Sequence, residues 1–190
     1  AYAFNLDYPN LLDLREEKTG GGIWIHGVEY EGRVKLGFDT RGCVAVGNPH
    51  VSWLNERADM RGAAVLIFDR IPALGEVGLE KADGEYRKQL DHWLKVRATG
   101  NFESFSSFYD PRFVHAIENR EGFLKKNRWR LRTRLYKEAV QKNKRAFVHP
   151  KYAVTEFVDQ RPGKKARWVR HYWSRDLGRP MIIAEVTQLL

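Results

Sequence analysis

The sequence predicts two folded parts in succession: a mainly β portion, then an α+β domain in which helices pack on an antiparallel sheet. Three observations carry this. Glycine-bounded runs of alternating residues fill the first third, amphipathic helical spacing with dense charge takes over from about Gly75, and period-two patterning returns after Lys144. With 190 residues, 43% of them hydrophobic, and six Trp, the chain can build one large core or two small ones.

In "GGIWIHG" (21–27), Ile23 and Ile25 fall on one strand face and Trp24 and His26 on the other. "TRGCVAVGN" reads as a glycine turn followed by a short apolar strand. "NPHVSWLNERADM" predicts a helix with Asn48 as its cap before Pro49, and "GAAVLIFDRI" from Gly62 a buried strand stopped by Pro72. The change of character sets a boundary at 72–84, giving parts 1–74 and 84–190. Tyr86, Leu90, Trp93, Leu94 and Arg97 mark an amphipathic helix ending near Gly100. Phe102, Phe105, Phe108 and Tyr109 form an aromatic stripe on a short second helix, broken by Asp110-Pro111. Leu124, Leu131, Leu135 and Ala139 mark a third, basic on its outer face. "RAFVHPKYAVTEFVD", "ARWVRHYWSRD" and "RPMIIAEVTQLL" predict long antiparallel strands, with turns at "QRPGKK" and "DLGRP".

The longest apolar run, "AAVLIF" (63–68), is far shorter than the roughly 18 residues of a membrane span, so none is expected. A net charge of +9 favours anionic partners: nucleic acid, anionic lipid or a wall polymer. The basic run "KKNRWRLRTRLYK" (125–137), interleaved with aromatics, could grip single-stranded nucleic acid. Its apolar residues face one way at helical spacing, however, so a solvated basic face on a packed helix is the expectation and no nucleic-acid partner is expected. His171 and Trp173 share a strand face, where they pack or line a pocket. The histidines show no His-x-x-x-His and the single cysteine no Cys-x-x-Cys, so no metal is expected. "TGGG" (19–22) lacks both a preceding strand and a Gly-Lys-Ser/Thr ending, and reads as a turn.

The chemistry-bearing stretch is "FDTRGCVAVGN" (38–48), which holds Cys43, the only cysteine. A thiol with an ordinary pKa of about 8.5 needs a basic partner to act as a nucleophile near neutrality. His26 can supply it if its second ring nitrogen is held by an acceptor such as a backbone carbonyl. Glycines 27 and 42 let backbone approach closely, and the N–H groups of the Gly42–Cys43 turn are natural donors to an oxyanion. Taken alone, this pair is weak evidence, because burial as a small apolar filler is the commoner fate of a free cysteine.

"IWIHG" followed by "DTRGCVAVGN" resembles the active-site signature of the L,D-transpeptidase (YkuD) family: a strand ending in His-Gly, then Ser/Thr-His-Gly-Cys, a small apolar strand and Asn. The upstream "LDYPNLLDLREEKTGGG" is similar to the family's approach to that histidine, and the resemblance spans residues 1 to about 71. It implies Cys43 as nucleophile, His26 as base, the Gly27 carbonyl as orienter and Gly42 with Cys43 as oxyanion site. Thr40, Arg41 and Asn48 are the implied substrate-binding positions. Arg41 stands where the family usually has a second histidine, which bears on how an acceptor is handled. It would stabilise a thiolate or grip a substrate carboxylate, or be a plain exposed turn arginine. The family's strands ahead of "YPN" have no counterpart here, so an N-terminally truncated catalytic portion is expected, with any export signal in the missing piece.

The order from "LDHWLKVRATGNFESFSSFYDPRFV" to the C-terminal strands resembles the cone-shaped nuclear-transport-factor-like (SnoaL-like) fold over 84–190, whose sheet wraps around a pocket. Together the two resemblances imply a periplasmic or cell-envelope enzyme acting on peptidoglycan stem peptides through an acyl-thioester. Transfer to an amine gives a cross-link, and transfer to water gives L,D-carboxypeptidase trimming, as in some cell-shape enzymes. No cofactor is implied, since thiol, base and oxyanion donors suffice. Contact with an anionic wall or membrane surface, and a homodimer, are further expectations. The other reading is a non-catalytic module binding wall glycan or another polyanion.

Overall fold

A computed structural model describes residues 2–36, 40–58, 63–65, 67, 76–149, 151–175 and 178–190, without the side chains of 76–82. The chain divides into two compact units, Ala1–Arg70 and Ile71–Leu190. The expected boundary at 72–84 falls partly on residues 71–75, outside the described ones, and the chain is already helical from Glu76.

In the first unit, β1 (Ala3–Asn5), β2 (Trp24–His26) and β3 (Val44–Ala45) form a sheet in that order. β1 runs antiparallel to β2, and β3 parallel to it. Between β1 and β2 lies α1 (Leu11–Arg15), started by a reciprocal cap in which Asn10 and Asp13 each accept from the other's backbone N–H. A 3₁₀ turn at Glu31–Lys35 precedes β3, and α2 (Asn48–Arg57) follows it. The expected strands at "GGIWIHG" and after the glycine turn are thus β2 and β3. The cap of α2 differs: it is Gly47, not Asn48, which is the first helical residue with Pro49 next. The orphan N–H of Asn48 is instead met by Glu31, whose carboxylate accepts it at 2.9 Å. Of the strand expected from Gly62 to Pro72, the described residues are Ala63, Ala64, Val65 and Ile67, and none is in a strand. Val65 and Ile67 are 41% and 65% exposed. An apolar run becomes a buried strand only with a partner edge, and none pairs with them among the described residues.

The second unit opens with α3 (Glu76–Thr99), ended by Gly100 at φ +79°. A Cβ there would stand 2.9 Å from the Leu131 carbonyl oxygen, so the glycine is needed both for its φ and for the close approach. The short α4 (Phe102–Ser106) is capped by Asn101, which accepts from Ser104 N at 3.0 Å. Tyr109 does not extend this helix: it begins β4 (Tyr109–His115), and Asp110-Pro111 lies inside the strand rather than breaking a helix. The topology explains why, because β4 is an edge strand of its five-stranded sheet, where a missing N–H is tolerated. The single helix expected over 124–139 is two, α5 (Arg120–Arg130) and α6 (Arg134–Lys137). Thr133 separates them by accepting from Leu135 N at 3.3 Å.

"RAFVHPKYAVTEFVD" is likewise two strands, β5 (Val140–Val148) and β6 (Tyr152–Gln160), joined by a turn closed by His149 N donating to Tyr152 O at 2.8 Å. β7 (Arg167–Ser174) and β8 (Met181–Leu189) complete an antiparallel run, with β4 joining β8 in parallel. This is helices packed on one sheet, as the pattern predicts. The core holds Trp93, Phe105, Tyr109, Phe157 and Trp173. His171 is buried among them, its ring 4.5 Å from that of Trp93. The basic stretch 125–137 buries Asn127, Leu131 and Tyr136 and leaves its cations exposed except the half-buried Arg130; Lys126 meets Glu118 and Arg134 meets Glu138 at 2.7 Å each. Among the described residues no helix is long and apolar enough to cross a membrane.

Candidate active site

The parallel pairing of β2 with β3 decides which side chains meet. Ile25 lies opposite Val44 and His26 opposite Ala45. Cys43 stands immediately before β3, at the bend, two residues ahead of Ala45, the residue that pairs with His26. The pairing is locked beyond the last residue of β2, where Val46 N donates to His26 O at 2.9 Å.

Cys43 is a half-buried free thiol at a bend. Gly42 takes φ +115°, which an L side chain rarely adopts, and a Cβ on it would lie 2.8 Å from Ile23 Cδ1. Thr40 braces the same bend by donating its hydroxyl to the Cys43 carbonyl at 2.7 Å. The sulfhydryl donates to the Gly22 carbonyl at 3.6 Å. Among the described residues no hydrogen bond joins it to His26.

His26 Nδ1 lies 2.6 Å from the Gly27 carbonyl oxygen. A carbonyl only accepts, so the hydrogen sits on Nδ1, and a neutral ring keeps its free lone pair on Nε2. Gly27 is itself tied down, donating its N–H to Tyr2 O at 3.2 Å. The imidazole is thus oriented by main chain rather than by a carboxylate.

Asn48 uses both ends of its amide on one residue: it accepts from Val28 N at 3.2 Å and donates to Val28 O at 2.8 Å. Its side chain therefore clamps the segment after His26-Gly27 onto the start of α2. Arg41 is exposed at the bend. Sequence reasoning missed the Gly22 carbonyl, which receives the thiol, and Glu31, which receives Asn48 N. A main-chain acceptor has no sequence signal, and Glu31 sits in "EYEGR" with nothing to separate it from a surface carboxylate. Among the described residues no group of three His, Cys, Asp or Glu side chains is placed to hold a metal ion.

Residues 2–67 match the family model for the L,D-transpeptidase (YkuD) catalytic domain. That interval contains His26, the Gly42–Cys43 bend and Asn48. Among solved structures, Bd1075 of Bdellovibrio bacteriovorus is similar at 23% identity with a TM-score of 0.80, over 99% of this chain and 68% of that one. The helical cell shape determining protein Pgp2 from Campylobacter jejuni is similar at 23% identity with a TM-score of 0.67, over 97% of this chain and 67% of that one. At that identity these likenesses establish the fold, and the chain spans about two thirds of each relative. No curated protein matches the chain by sequence.

Proposed function

We propose that this chain is a cysteine-dependent enzyme of L,D-transpeptidase type, acting on peptidoglycan stem peptides in the periplasm or cell envelope. The observation that supports the reading is the β2–β3 pairing, in which Ala45 lies opposite His26 and Cys43 immediately precedes β3, next to a bend whose glycine takes φ +115°. The family match over 2–67 supplies the substrate class. On this reading residues 1–74 are the catalytic portion and 84–190 a separate α+β domain.

The chemistry follows from these groups. Rotation of the Cys43 side chain between staggered wells releases Sγ from the Gly22 carbonyl and brings it towards His26 Nε2, which takes the thiol proton. The thiolate attacks the carbonyl of the L-centre of the diamino-acid residue, and the oxyanion is held by the N–H groups of Gly42 and Cys43. Collapse breaks the C–N bond to the terminal D-alanine, whose nitrogen takes the proton from His26, leaving an acyl-thioester on Cys43. An acceptor amine then attacks the thioester carbonyl, yields its proton to His26 and expels the thiolate, forming a cross-link. Thr40 holds the bend, and Arg41 grips a substrate carboxylate.

Water in place of the amine gives carboxypeptidase trimming.

Incubation of the chain and its Cys43→Ala variant with defined tetrapeptide muropeptides, followed by mass analysis, tests the proposal. A D-alanine-free monomer identifies trimming and a cross-linked dimer identifies transfer, each absent from Cys43→Ala. Absence of any Cys43-dependent product would leave the binding-module reading instead.

A further inference from the structure

The second unit contains a cavity of about 280 Å³ that plays no part in the thiol chemistry. The rings of Trp93, Phe105, Tyr109 and Phe123 supply its apolar wall, and its charged lining is out of balance. Lys126 and Glu118 pair with each other at 2.7 Å. Asp159 accepts three hydrogen bonds: Oδ1 accepts from Arg97 Nη2 at 2.7 Å and from Gln141 Nε2 at 3.3 Å, and Oδ2 from Arg97 Nη1 at 3.2 Å. Glu185 serves Tyr109 Oη at 3.4 Å and His171 Nε2 at 3.1 Å.

Three guanidinium groups of the lining, those of Arg130, Arg161 and Arg167, donate to no carboxylate among the described residues, and in two of them Nε is buried without a partner. Arg161 is 3% exposed, and its Nε stands 3.6 Å from Asp159 Oδ2 without a hydrogen bond. Arg167 lies across the β6–β7 ladder from Asp159, yet among the described residues it makes no ion pair with it, and its buried Nε has no partner. Burial pushes the Arg161 guanidinium below its ordinary pKa, and the neighbouring Arg167 and Arg130 act in the same direction. Asp159 is shared between Arg97 and Arg161, so the five cations of the lining face three carboxylates, and an excess of partly buried positive charge is costly unless a bound anion completes it. Arg161 is also held in place, its guanidinium 5.6 Å from the centre of the Tyr136 ring.

We propose that this cavity binds a small organic carboxylate, its carboxyl group held by Arg161 and Arg167 and its carbon body against Trp93, Phe105 and Tyr109. The guanidinium fork matches a planar carboxylate in two places. Glu185 lines the same space, so a singly charged head is accommodated better than a phosphate dianion. The volume is near the lower end of ligand pockets, roughly 300–1,000 Å³, and suits a molecule of about the size of benzoate.

The test is calorimetric titration of the full chain with benzoate and, separately, inorganic phosphate, repeated on Arg161→Gln, Arg167→Gln and Lys151→Gln. Lys151 is exposed and outside the cavity. The expected result is saturable one-to-one benzoate binding, weakened by about tenfold or more in each arginine variant and unchanged in Lys151→Gln. Circular dichroism establishes that each variant is folded. If Arg161→Gln is not, the half-buried Arg167 still decides the matter. Absence of saturable benzoate binding, binding of phosphate in its place, or benzoate affinity indifferent to loss of the arginine in a folded variant would each overturn the proposal.

Discussion

The bend at Cys43 and the cavity of the second unit both hold reactive or charged side chains, and they do so by different means. Around Cys43 the strands are three, three and two residues long, and the buried hydrophobics of that unit, among the described residues, are Leu12, Val28 and Val51. Position is set there by main chain: the positive φ of Gly42, the Thr40 bond to the Cys43 carbonyl and the Gly27 carbonyl on His26. Each such bond is worth about 1 kcal/mol net. In the second unit, position is set by close-packed rings and by an ion pair buried inside them. Arg97 lies 4.6 Å from the Tyr136 ring centre and 5.0 Å from that of Trp93 while it binds Asp159 with two nitrogens. The lesson is that changes near Cys43 should alter chemistry more than stability, and changes near Arg97 the reverse.

The sharpest attack on that contrast is His26→Ala. Loss of the base should lower the rate of Cys43-dependent product formation from muropeptides by about 10²–10⁴-fold, while urea unfolding of the second unit stays within error. A variant that kept its rate would remove His26 from the chemistry. Next in size, Asp159→Ala strands the buried Arg97 charge and should cost about 3–5 kcal/mol in urea denaturation. A cost under about 1 kcal/mol would show that the ion pair is not what holds that region.

Gly42→Ala tests whether the bend itself matters. The substituted residue must hold φ +115°, at about 1–2 kcal/mol of strain, and the Ile23 side-chain tip must give way. The expected signature is a fall in rate, read with muropeptides, out of proportion to a small loss of stability. The smallest effect is expected for Asn101→Ala, which removes the cap of α4 and should cost about 1 kcal/mol by the same denaturation, leaving product formation by the folded protein unchanged.

Local pattern made much of this fold legible. The period-two run "GGIWIHG" is β2, the apolar residues after Gly42 are β3, and the stripe from Tyr86 to Arg97 is the buried face of α3, which ends before Gly100 as its glycine predicts. "ARWVRHYWSRD" and "RPMIIAEVTQLL" are β7 and β8. The misreadings share one cause, which is that the deciding partner is distant in the chain. Pro111 is compatible with a strand because β4 lies at a sheet edge, and edge status depends on β8. The turn between β5 and β6 is closed by His149 N donating to Tyr152 O, a main-chain bond that side-chain alternation does not mark. Asn48 looks like a cap until Glu31 takes that place and Val28 claims its amide.

The candidate site divides in the same way. Cys43, His26 and their glycines are legible through the resemblance of "IWIHG" and "DTRGCVAVGN" to the family motif, since the Cys–His pair taken alone is weak evidence. That β3, which Cys43 precedes, lies beside β2 is a matter of strand pairing, and the thiol's turn towards Gly22 is a matter of packing. Residue order along the chain fixes what is local: where helices stop, where strands alternate, and which short stretch holds the lone thiol. The tertiary structure alone decided the charge balance of the second unit's cavity. Arg97 and Asp159 are 62 residues apart, and no local pattern reveals that one carboxylate is shared between the hydrogen bonds of Arg97 and Gln141 and the charge of Arg161. Coulomb pairing depends on distance in space, and the fold sets that distance only once the sheet has closed on its helices.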